Sequence, residues 1–414
     1  MKNNNIRYLL TCVCLLLWFS LFAQNTAGRL LNNKLTWDIA ELVLASDYDP
    51  LLQSKDNPDR GLQTMMKMFE KNIGNDIVRQ QLTYRSTDQH GDSVLLSGCL
   101  YLPKEGEIKG IIVANHYTVC SNKEVPSESL VIESIFCEKG YAVLMADYLG
   151  YGITKDRPHP YLHRETGART VLDLVLQTVP QPETVKKKGC RKKEKQPRFM
   201  LAGRELLTDS LILIGYSQGA AVTLALQALI QEKYANQLHI SRTFVGGGPY
   251  DIASMYDEWV EKDLTSIPAA IPLTILGMDA GENLHLDLSH LFKDSLLAHY
   301  DEWILTKKYT LNHIARLMGS RRLSDNMPPS GMDKTDPETH RFYEAMQRQS
   351  LLNFKPQTPL YLFHSKDDKW VPFSNSERLA ENIGQSPLLT TDFGNYGNHM
   401  NATLRFYKTL FEIL

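Results

Sequence analysis

The chain has 414 residues, of which 43% are hydrophobic, and its formal net charge at pH 7 is −2. This length and composition are typical of a folded protein with a large core, and they exclude a predominantly disordered chain. The near-neutral charge gives no indication of a nucleic-acid partner, so a small-molecule partner is the better expectation.

The first 23 residues have the pattern of a secretory signal peptide. Lys2 and Arg7 precede an apolar run over residues 8–23, and polar residues follow it. The run is shorter than the ~20 residues of a membrane-spanning helix. It ends at Ala23, after which we expect cleavage, so that the mature chain is secreted or periplasmic. Leu21 is not the small residue typical of that position in a cleavage site, and retention of the segment as an anchor is the alternative.

The mature chain would carry four cysteines, and an exported protein can form disulfides. They are Cys99, Cys120, Cys137 and Cys190. Their spacing matches no metal-binding motif, and the sequence does not distinguish disulfides from free buried thiols. We predict no metal and no organic cofactor.

From residue 77 onward, short apolar segments alternate with helical ones. The predicted strands are a pair over 82–86 and 94–102, followed by 110–115, 141–147, 211–214, 242–245, 360–363 and 388–392. Several are continuous apolar runs, which are typical of strands buried on both faces. The alternation predicts an α/β fold with an eight-stranded, mostly parallel sheet that has helices on both faces.

Two segments interrupt this alternation. Residues 186–198 contain eight basic residues and one acidic residue; we expect a solvated surface loop, with contact to an anionic surface as the alternative. Residues 250–356 are apparently helical and too long for a connector. We predict that they form a helical cap over the carboxyl ends of the strands, where sites in such sheets lie. The core would then comprise residues 24–249 and 357–414.

The segment over residues 211–220 is the most informative about function. An apolar strand leads directly into Gly215-x-Ser217-x-Gly219, and an alanine-rich helical run follows. Strand, turn and helix in this order are typical of a nucleophile elbow, which needs glycine on both sides of the serine. We predict that Ser217 is a nucleophile; a turn without catalytic function is the alternative.

A serine nucleophile needs a base, and the base needs a carboxylate that orients it. Asp368 follows the predicted strand over 360–363 and is the candidate acid. Asp367 is the second choice, and a turn that caps the next helix is the structural alternative.

The candidate base is His399, on a predicted loop between the last strand and a helix over residues 401–414. Three other histidines compete on position: His116, His290 and His364. The chain order Ser217, Asp368, His399 is, however, the order found in hydrolases that carry a nucleophile elbow.

An oxyanion that forms on the substrate needs fixed hydrogen-bond donors. The first is expected to be the backbone amide of Gln218, directly after the nucleophile. The second is expected from Tyr117 or Thr118, in the loop after the strand over 110–115, where His116 could serve only to brace the loop.

Together these motifs resemble the α/β-hydrolase superfamily. The residues that carry the resemblance are Gly-Tyr-Ser-Gln-Gly at 215–219, Val-Pro at 371–372 after Asp368, Gly-Asn-His at 397–399, and residues 146–152. Within the superfamily the chain is most similar to the secretory lipase family, through His-Tyr-Thr at 116–118, Glu-Val-Pro-Ser at 124–127 and His-Pro-Tyr-Leu at 159–162. Tyr117 stands where that family has glycine, so a positive φ there would strain the loop.

The sequence therefore predicts a secreted serine hydrolase, a lipase or carboxylesterase, that cleaves small-molecule or lipid esters through an acyl-enzyme. Contact with a lipid interface is left open. A serine peptidase or aminopeptidase on the same fold is the first alternative, although no propeller repeat accompanies it. A non-catalytic binding module is the second, although none of the three catalytic positions is missing.

Overall fold

The structure is a computed structural model that describes residues 77–179 and 199–414. The predicted signal peptide, Cys190 and the basic segment 186–198 lie outside the described residues. In the described part, strands and helices alternate as the sequence predicts, and strands from both ends of the chain assemble into one central sheet.

The central sheet has eight strands in the described part of the chain, in the order β1-β2-β4-β3-β7-β8-β9-β10. Their bounds are β1 Ile77–Thr87, β2 Ser93–Pro103, β3 Ile111–Asn115, β4 Ala142–Ala146, β7 Leu211–Tyr216, β8 Ile240–Gly246, β9 Leu360–Ser365 and β10 Leu389–Gly394. β2 is antiparallel to β1 and β4, whereas every pair from β4 to β10 is parallel. The prediction of an eight-stranded, mostly parallel sheet is confirmed.

A separate hairpin, which the sequence analysis did not predict, joins β5 (Phe199–Leu201) to β6 (Arg204–Leu206). Its turn residues, Ala202 and Gly203, both have positive φ, as a two-residue hairpin turn requires.

The helices occupy the connections between the strands. They are α1 Arg164–Thr178, α2 Gln218–Leu229, α3 Ile252–Lys262, α4 Ala270–Glu282, α5 Asp294–Leu297, α6 Leu311–Met318, α7 Leu323–Asn326, α8 Pro329–Met332, α9 Pro337–Arg348, α10 Ser374–Ile383 and α11 His399–Ile413. Shorter 3-10 turns include Asn122–Glu124, Ile132–Lys139, Gly152–Thr154 and Leu288–His290, and π-helical turns occur at Ile230–Tyr234 and Asp301–Leu305.

Alternate side chains of the strands belong to two hydrophobic cores, one on each face of the sheet. In β7, Leu211 and Leu213 join the core that also contains α1 and α2. Ile212 and Ile214 join the opposite core, which contains α11 and the turn over Ile132–Lys139. Burial on both faces explains why these strands are continuous apolar runs.

Residues 250–356, which we call the inserted segment, run from just after β8 to just before β9. Helices α3 to α9 lie within them, and α9 packs against α3 and α4. Not all of the inserted segment is regular α-helix: between residues 288 and 305 it forms a 3-10 turn at Leu288–His290, the short α5 and a π-helical turn at Asp301–Leu305.

Cys99, Cys120 and Cys137 are buried free thiols. Within residues 77–179 and 199–414, no helix is both long and apolar enough to cross a membrane. The same residues contain no cluster of three or more His, Cys, Asp or Glu side chains that could hold a metal ion.

Candidate active site

Ser217 occupies a sharp turn between β7 and α2. Its φ of 56° and ψ of −127° are unfavourable for a side-chain-bearing residue, and such strain is typical of functional positions. The backbone is packed too closely for side chains on either glycine: a Cβ on Gly215 would lie 2.1 Å from the carbonyl oxygen of Gly219, and one on Gly219 would lie 2.0 Å from that of Asn115. The glycines of the pentad are therefore required by sterics.

Asp368 and His399 are in direct contact at the neighbouring strand ends. Nδ1 of His399 lies 2.6 Å from Oδ2 of Asp368, whose side chain is fully buried. The other carboxylate oxygen accepts hydrogen bonds from the backbone amides of Trp370 (2.8 Å) and Val371 (3.0 Å). These bonds fix the carboxylate on the turn after β9.

Burial by itself would raise the pKa of Asp368, but the imidazoles of His399 and His364 outweigh burial and hold that pKa below its ordinary range. The carboxylate therefore stays ionised and accepts a hydrogen bond from the protonated Nδ1 of His399. This leaves Nε2 of His399 as the nitrogen that can accept a proton.

His399 is the first residue of α11, not part of a loop as predicted. The helix begins two residues earlier than expected because the side chain of Asn398 accepts hydrogen bonds from the amides of Met400 and Asn401. The ring of Trp370 stacks on His399 with centroids 5.3 Å apart, and the hydroxyl of Tyr216 donates to the His399 carbonyl at 3.0 Å.

Ser217 and His399 line one cavity. Its other walls are mainly apolar and come largely from the inserted segment and the residues around it: Leu162, Pro249, Ile252, Met255, Trp259, Ile267, Ala270, Trp370 and Val371. A second cavity adjoins the first, shares Leu162, Pro249 and Ile252 with it, and is lined by more polar side chains, among them Gln218 and His159.

Of the two residues predicted to supply the second oxyanion donor, only Thr118 lines the cavity that contains Ser217. Its hydroxyl bonds to that of Tyr161 at 2.8 Å. Tyr117 packs away from this cavity, against Val119, Val125 and Tyr151. It is not among the described residues with positive φ, so the strain expected from replacing glycine does not arise.

Gln218, the expected first donor, is the first residue of α2, so its backbone amide has no acceptor within the helix. Its side chain is buried against His159, with 3.0 Å between the two Nε2 atoms. Nδ1 of His159 lies 2.7 Å from the carbonyl of Leu149, to which it must donate, so Nε2 of His159 accepts a hydrogen bond from the side-chain N–H of Gln218. Burial lowers the pKa of His159 to about 3, which keeps the ring neutral.

His159 is thus a site residue that sequence reasoning missed. Its motif, His-Pro-Tyr-Leu, was a signal of family resemblance but did not indicate which atom the imidazole would hold.

A buried carboxylate, Asp147, fixes the segment around Ser127, which follows the loop that carries Thr118. Its oxygens accept from the amide of Ser127 at 2.9 Å, from the hydroxyl of Ser127 at 2.6 Å and from the hydroxyl of Ser97 at 2.6 Å. These bonds give a structural role to the serine of the Glu-Val-Pro-Ser motif. His116 stacks on Tyr148 and donates from Nδ1 to the carbonyl of Tyr117, so it braces the same loop.

The competing residues lie elsewhere. Asp367 is exposed and accepts from Asn395 at 2.8 Å, away from His399. His290 pairs with Asp336 on the surface of the inserted segment at 3.0 Å. His364 is fully buried; its Nε2 lies 3.4 Å from Asp368 and 3.0 Å from the carbonyl of Val371, and it does not line the cavity that contains Ser217.

Residues 207–404 match the model of the secretory lipase family. This match confirms the predicted resemblance, and it spans the elbow, the acid turn and the histidine. No curated protein matches the sequence significantly.

Many solved structures share the fold. One is a protein from Legionella pneumophila with a TM-score of 0.64 and 20% identity over 81% of this chain and 88% of that chain. A second is the rice cell wall degrading esterase LipA from Xanthomonas oryzae, with a TM-score of 0.64 and 20% identity over 84% and 92%. A third is lipase A from Candida antarctica, with a TM-score of 0.57 and 14% identity over 79% and 74%. The fold is that of the α/β-hydrolases.

Proposed function

We propose that this α/β-hydrolase, which is most similar to the secretory lipases and whose relatives support ester hydrolysis, is a serine carboxylic ester hydrolase that works through an acyl-enzyme. The observation that carries the proposal is the placement of Ser217, on a strained elbow, in the same cavity as His399, whose Nδ1 is held by the buried carboxylate of Asp368.

In the proposed mechanism, Nε2 of His399 takes the proton of the Ser217 hydroxyl as the oxygen attacks the ester carbonyl. The resulting imidazolium is stabilised by Asp368. His399 then returns the proton to the leaving alcohol, and an acyl group remains on Ser217. Water attacks this acyl-enzyme with His399 again as base, and the free acid leaves.

The negative oxygen of each tetrahedral intermediate would be stabilised by the amides of Gln218 and Thr118. Thr118 is favoured over Tyr117 as the second donor because Thr118 lines the cavity, whereas Tyr117 packs against the cluster of Val119, Val125 and Tyr151. His159 would act as a positioning residue, because it fixes the side chain of the residue whose amide is the first donor.

The lining of the two cavities favours esters of apolar acids over aminoacyl amides. Binding of a substrate α-ammonium would need a carboxylate, and none of the described residues that line either cavity is Asp or Glu. Two similar structures are an esterase and a lipase, which points to the same bond.

We further propose that the inserted segment acts as a cap over the carboxyl ends of β7 to β10, because helices α3 and α4 supply much of the cavity wall above Ser217. Export from the cytoplasm is proposed from the signal pattern in residues 1–23 together with the match to a secretory family.

The decisive experiment is labelling with a fluorophosphonate, which reacts with activated serine hydroxyls. We expect the wild type to be labelled and Ser217→Ala to be unlabelled. Ser210→Ala is the matched control, because Ser210 directly precedes β7 at its opposite end, and it should label like the wild type.

A second measurement tests which bond the protein cleaves. It compares rates on p-nitrophenyl esters of graded acyl length with rates on aminoacyl p-nitroanilides. Equal labelling of the wild type and Ser217→Ala would refute the nucleophile. Faster turnover of the amides than of the esters would replace the esterase with a peptidase.

A further inference from the structure

Lys307 is a buried lysine in the inserted segment, just after the π-helical turn at Asp301–Leu305. The residue is 5% exposed, whereas lysine is almost never buried without a charged partner. Among the described residues, no carboxylate lies within ion-pair distance of its ammonium group; the acceptors are the backbone carbonyls of Leu305 at 3.1 Å and Arg157 at 3.5 Å. The charge is therefore solvated mainly by backbone dipoles, and the carboxylate of Asp156 acts on it only from beyond ion-pair distance.

The backbone holds Lys307 in this position. Its φ is 55°, in the left-handed region that side-chain-bearing residues rarely adopt, and its carbonyl accepts from the amide of Asn122 at 2.8 Å. The ammonium lies 5.8 Å from the centre of the Tyr151 ring, a favourable distance for a cation. Burial lowers the pKa of Lys307 to about 8, so most molecules carry the charge at neutral pH.

Lys307 lines a third cavity, between the inserted segment and the core loops. Four aliphatic side chains of the inserted segment form one wall: Leu273, Leu276, Ile304 and Leu305. His159 contributes to the other wall, but both of its ring nitrogens are already bonded, to Leu149 and Gln218. Lys307 is the only charged side chain among the described residues that line this cavity, because burial keeps the thiol of Cys120 protonated.

One cation without an ion-pair partner, in a cavity with an aliphatic wall, is complementary to a ligand with one negative charge and one short apolar chain. A phosphate carries more charge and needs more donors than this single ammonium offers. We propose that the cavity at Lys307 is a binding site for a short aliphatic monocarboxylate, separate from the cavity that contains Ser217. The carboxylate would pair with the ammonium, and the chain would lie against Leu273, Leu276 and Ile304.

The test is calorimetric titration of the full chain with hexanoate. We compare the wild type with Lys307→Met, which keeps the length of the side chain without its charge, and with Lys308→Met, which removes the charge of the exposed neighbouring lysine. Hexanoate held at Ser217 would be common to all three proteins, so the site is measured as the difference between the two variants. This difference does not depend on whether the protein hydrolyses esters.

We expect Lys307→Met to weaken hexanoate binding at least tenfold and Lys308→Met to leave it unchanged. Hexan-1-ol, which lacks the charge, should bind weakly and equally to all three proteins. Lys307→Gln serves as the second variant if the melting temperature shows that Lys307→Met does not fold. Equal hexanoate affinity in wild type and Lys307 variants would overturn the proposal, as would acetate binding as tightly as hexanoate, since the aliphatic wall would then contribute nothing.

Discussion

The carboxyl ends of the strands and the helices of the inserted segment meet at one cavity but contribute different chemistry to it. Ser217, Asp368 and His399 follow β7, β9 and β10, three strands of one parallel sheet. The inserted segment contributes apolar side chains such as Met255 and Trp259. In the proposed mechanism, bond cleavage therefore belongs to the strand ends and substrate selection to the inserted segment.

The two regions also differ in what holds them in place. The strand ends are fixed by a continuous ladder of backbone hydrogen bonds and by two cores that pack on both faces of the sheet. In the inserted segment, α5, α7 and α8 have only four residues each, and helices of that length are unstable without tertiary packing. The sheet itself therefore sets the positions of the strand ends, whereas the short helices of the inserted segment depend on packing against their surroundings.

The largest effect is expected from His399→Ala, which removes the proposed base. The kcat should fall by at least ~10³, and by the same factor for every acyl length, because proton transfer is common to all esters. Steady-state rates on p-nitrophenyl esters of two to twelve carbons measure this. His290→Ala, in a surface pair with Asp336, is the control and should keep wild-type rates.

A retained rate in His399→Ala would identify another base. The candidate would then be His364, which also lies near Asp368. If the loss of kcat in His399→Ala depended on acyl length, the proposed separation of bond cleavage from acyl-chain selection would be wrong.

A smaller effect is expected from His159→Phe, which leaves the side chain of Gln218 without its acceptor. Removing an oxyanion donor costs about 10²–10³ in kcat, so displacing one should cost about 10-fold to 10²-fold with little change in KM. A double-mutant cycle with Gln218→Ala tests whether His159 acts through Gln218. His159→Phe should then cause no further loss of kcat when residue 218 is already alanine.

The pH dependence provides a second readout for His159. Its pKa of about 3 means that the ring is neutral, and contributes no charge, at every pH well above that value. The variant should therefore lower the pH–rate profile between pH 5 and 9 without shifting it. A shifted profile would show that His159 titrates in the working range and acts as more than a neutral acceptor.

The sequence predicts much of the sheet and of the site because strong local signals mark them. Buried parallel strands are apolar runs, and the elbow requires Gly215 and Gly219 for steric reasons that leave few alternatives. Position after a strand narrows the acid to the adjacent Asp367 and Asp368, with Asp368 the first choice, and the structure places Asp368 against His399.

Other features depend on contacts between distant segments and could not be predicted locally. The bond between His159 and Gln218 joins residues 59 positions apart, and nothing near either residue indicates it. The β5–β6 hairpin has strands of three residues, too short for an alternating pattern. In the inserted segment, periodicity indicates helix, but the break between Leu288–His290 and α5 depends on tertiary packing.

The smallest effect is expected from Met255→Ala in α3. This variant tests most directly whether the inserted segment selects the acyl chain. Met255 is buried and lines the cavity that contains Ser217, so its truncation should lengthen the space available to an acyl chain. Differences of a few methylenes in an apolar pocket change kcat/KM by about 10-fold to 200-fold. We expect the ratio of kcat/KM for the dodecanoyl ester to that for the hexanoyl ester to rise about tenfold.

Met278→Ala is the matched control, because Met278 is a buried methionine of α4 that does not line that cavity. Both variants lose a buried side chain and should lose about 2–5 kcal/mol of stability. Only Met255→Ala should change the chain-length preference, and neither should change the rate of fluorophosphonate labelling of Ser217 by more than a few-fold. A change of preference in Met278→Ala of the same size would mean that general loosening of the inserted segment, and not the shape of the cavity wall, selects the acyl group.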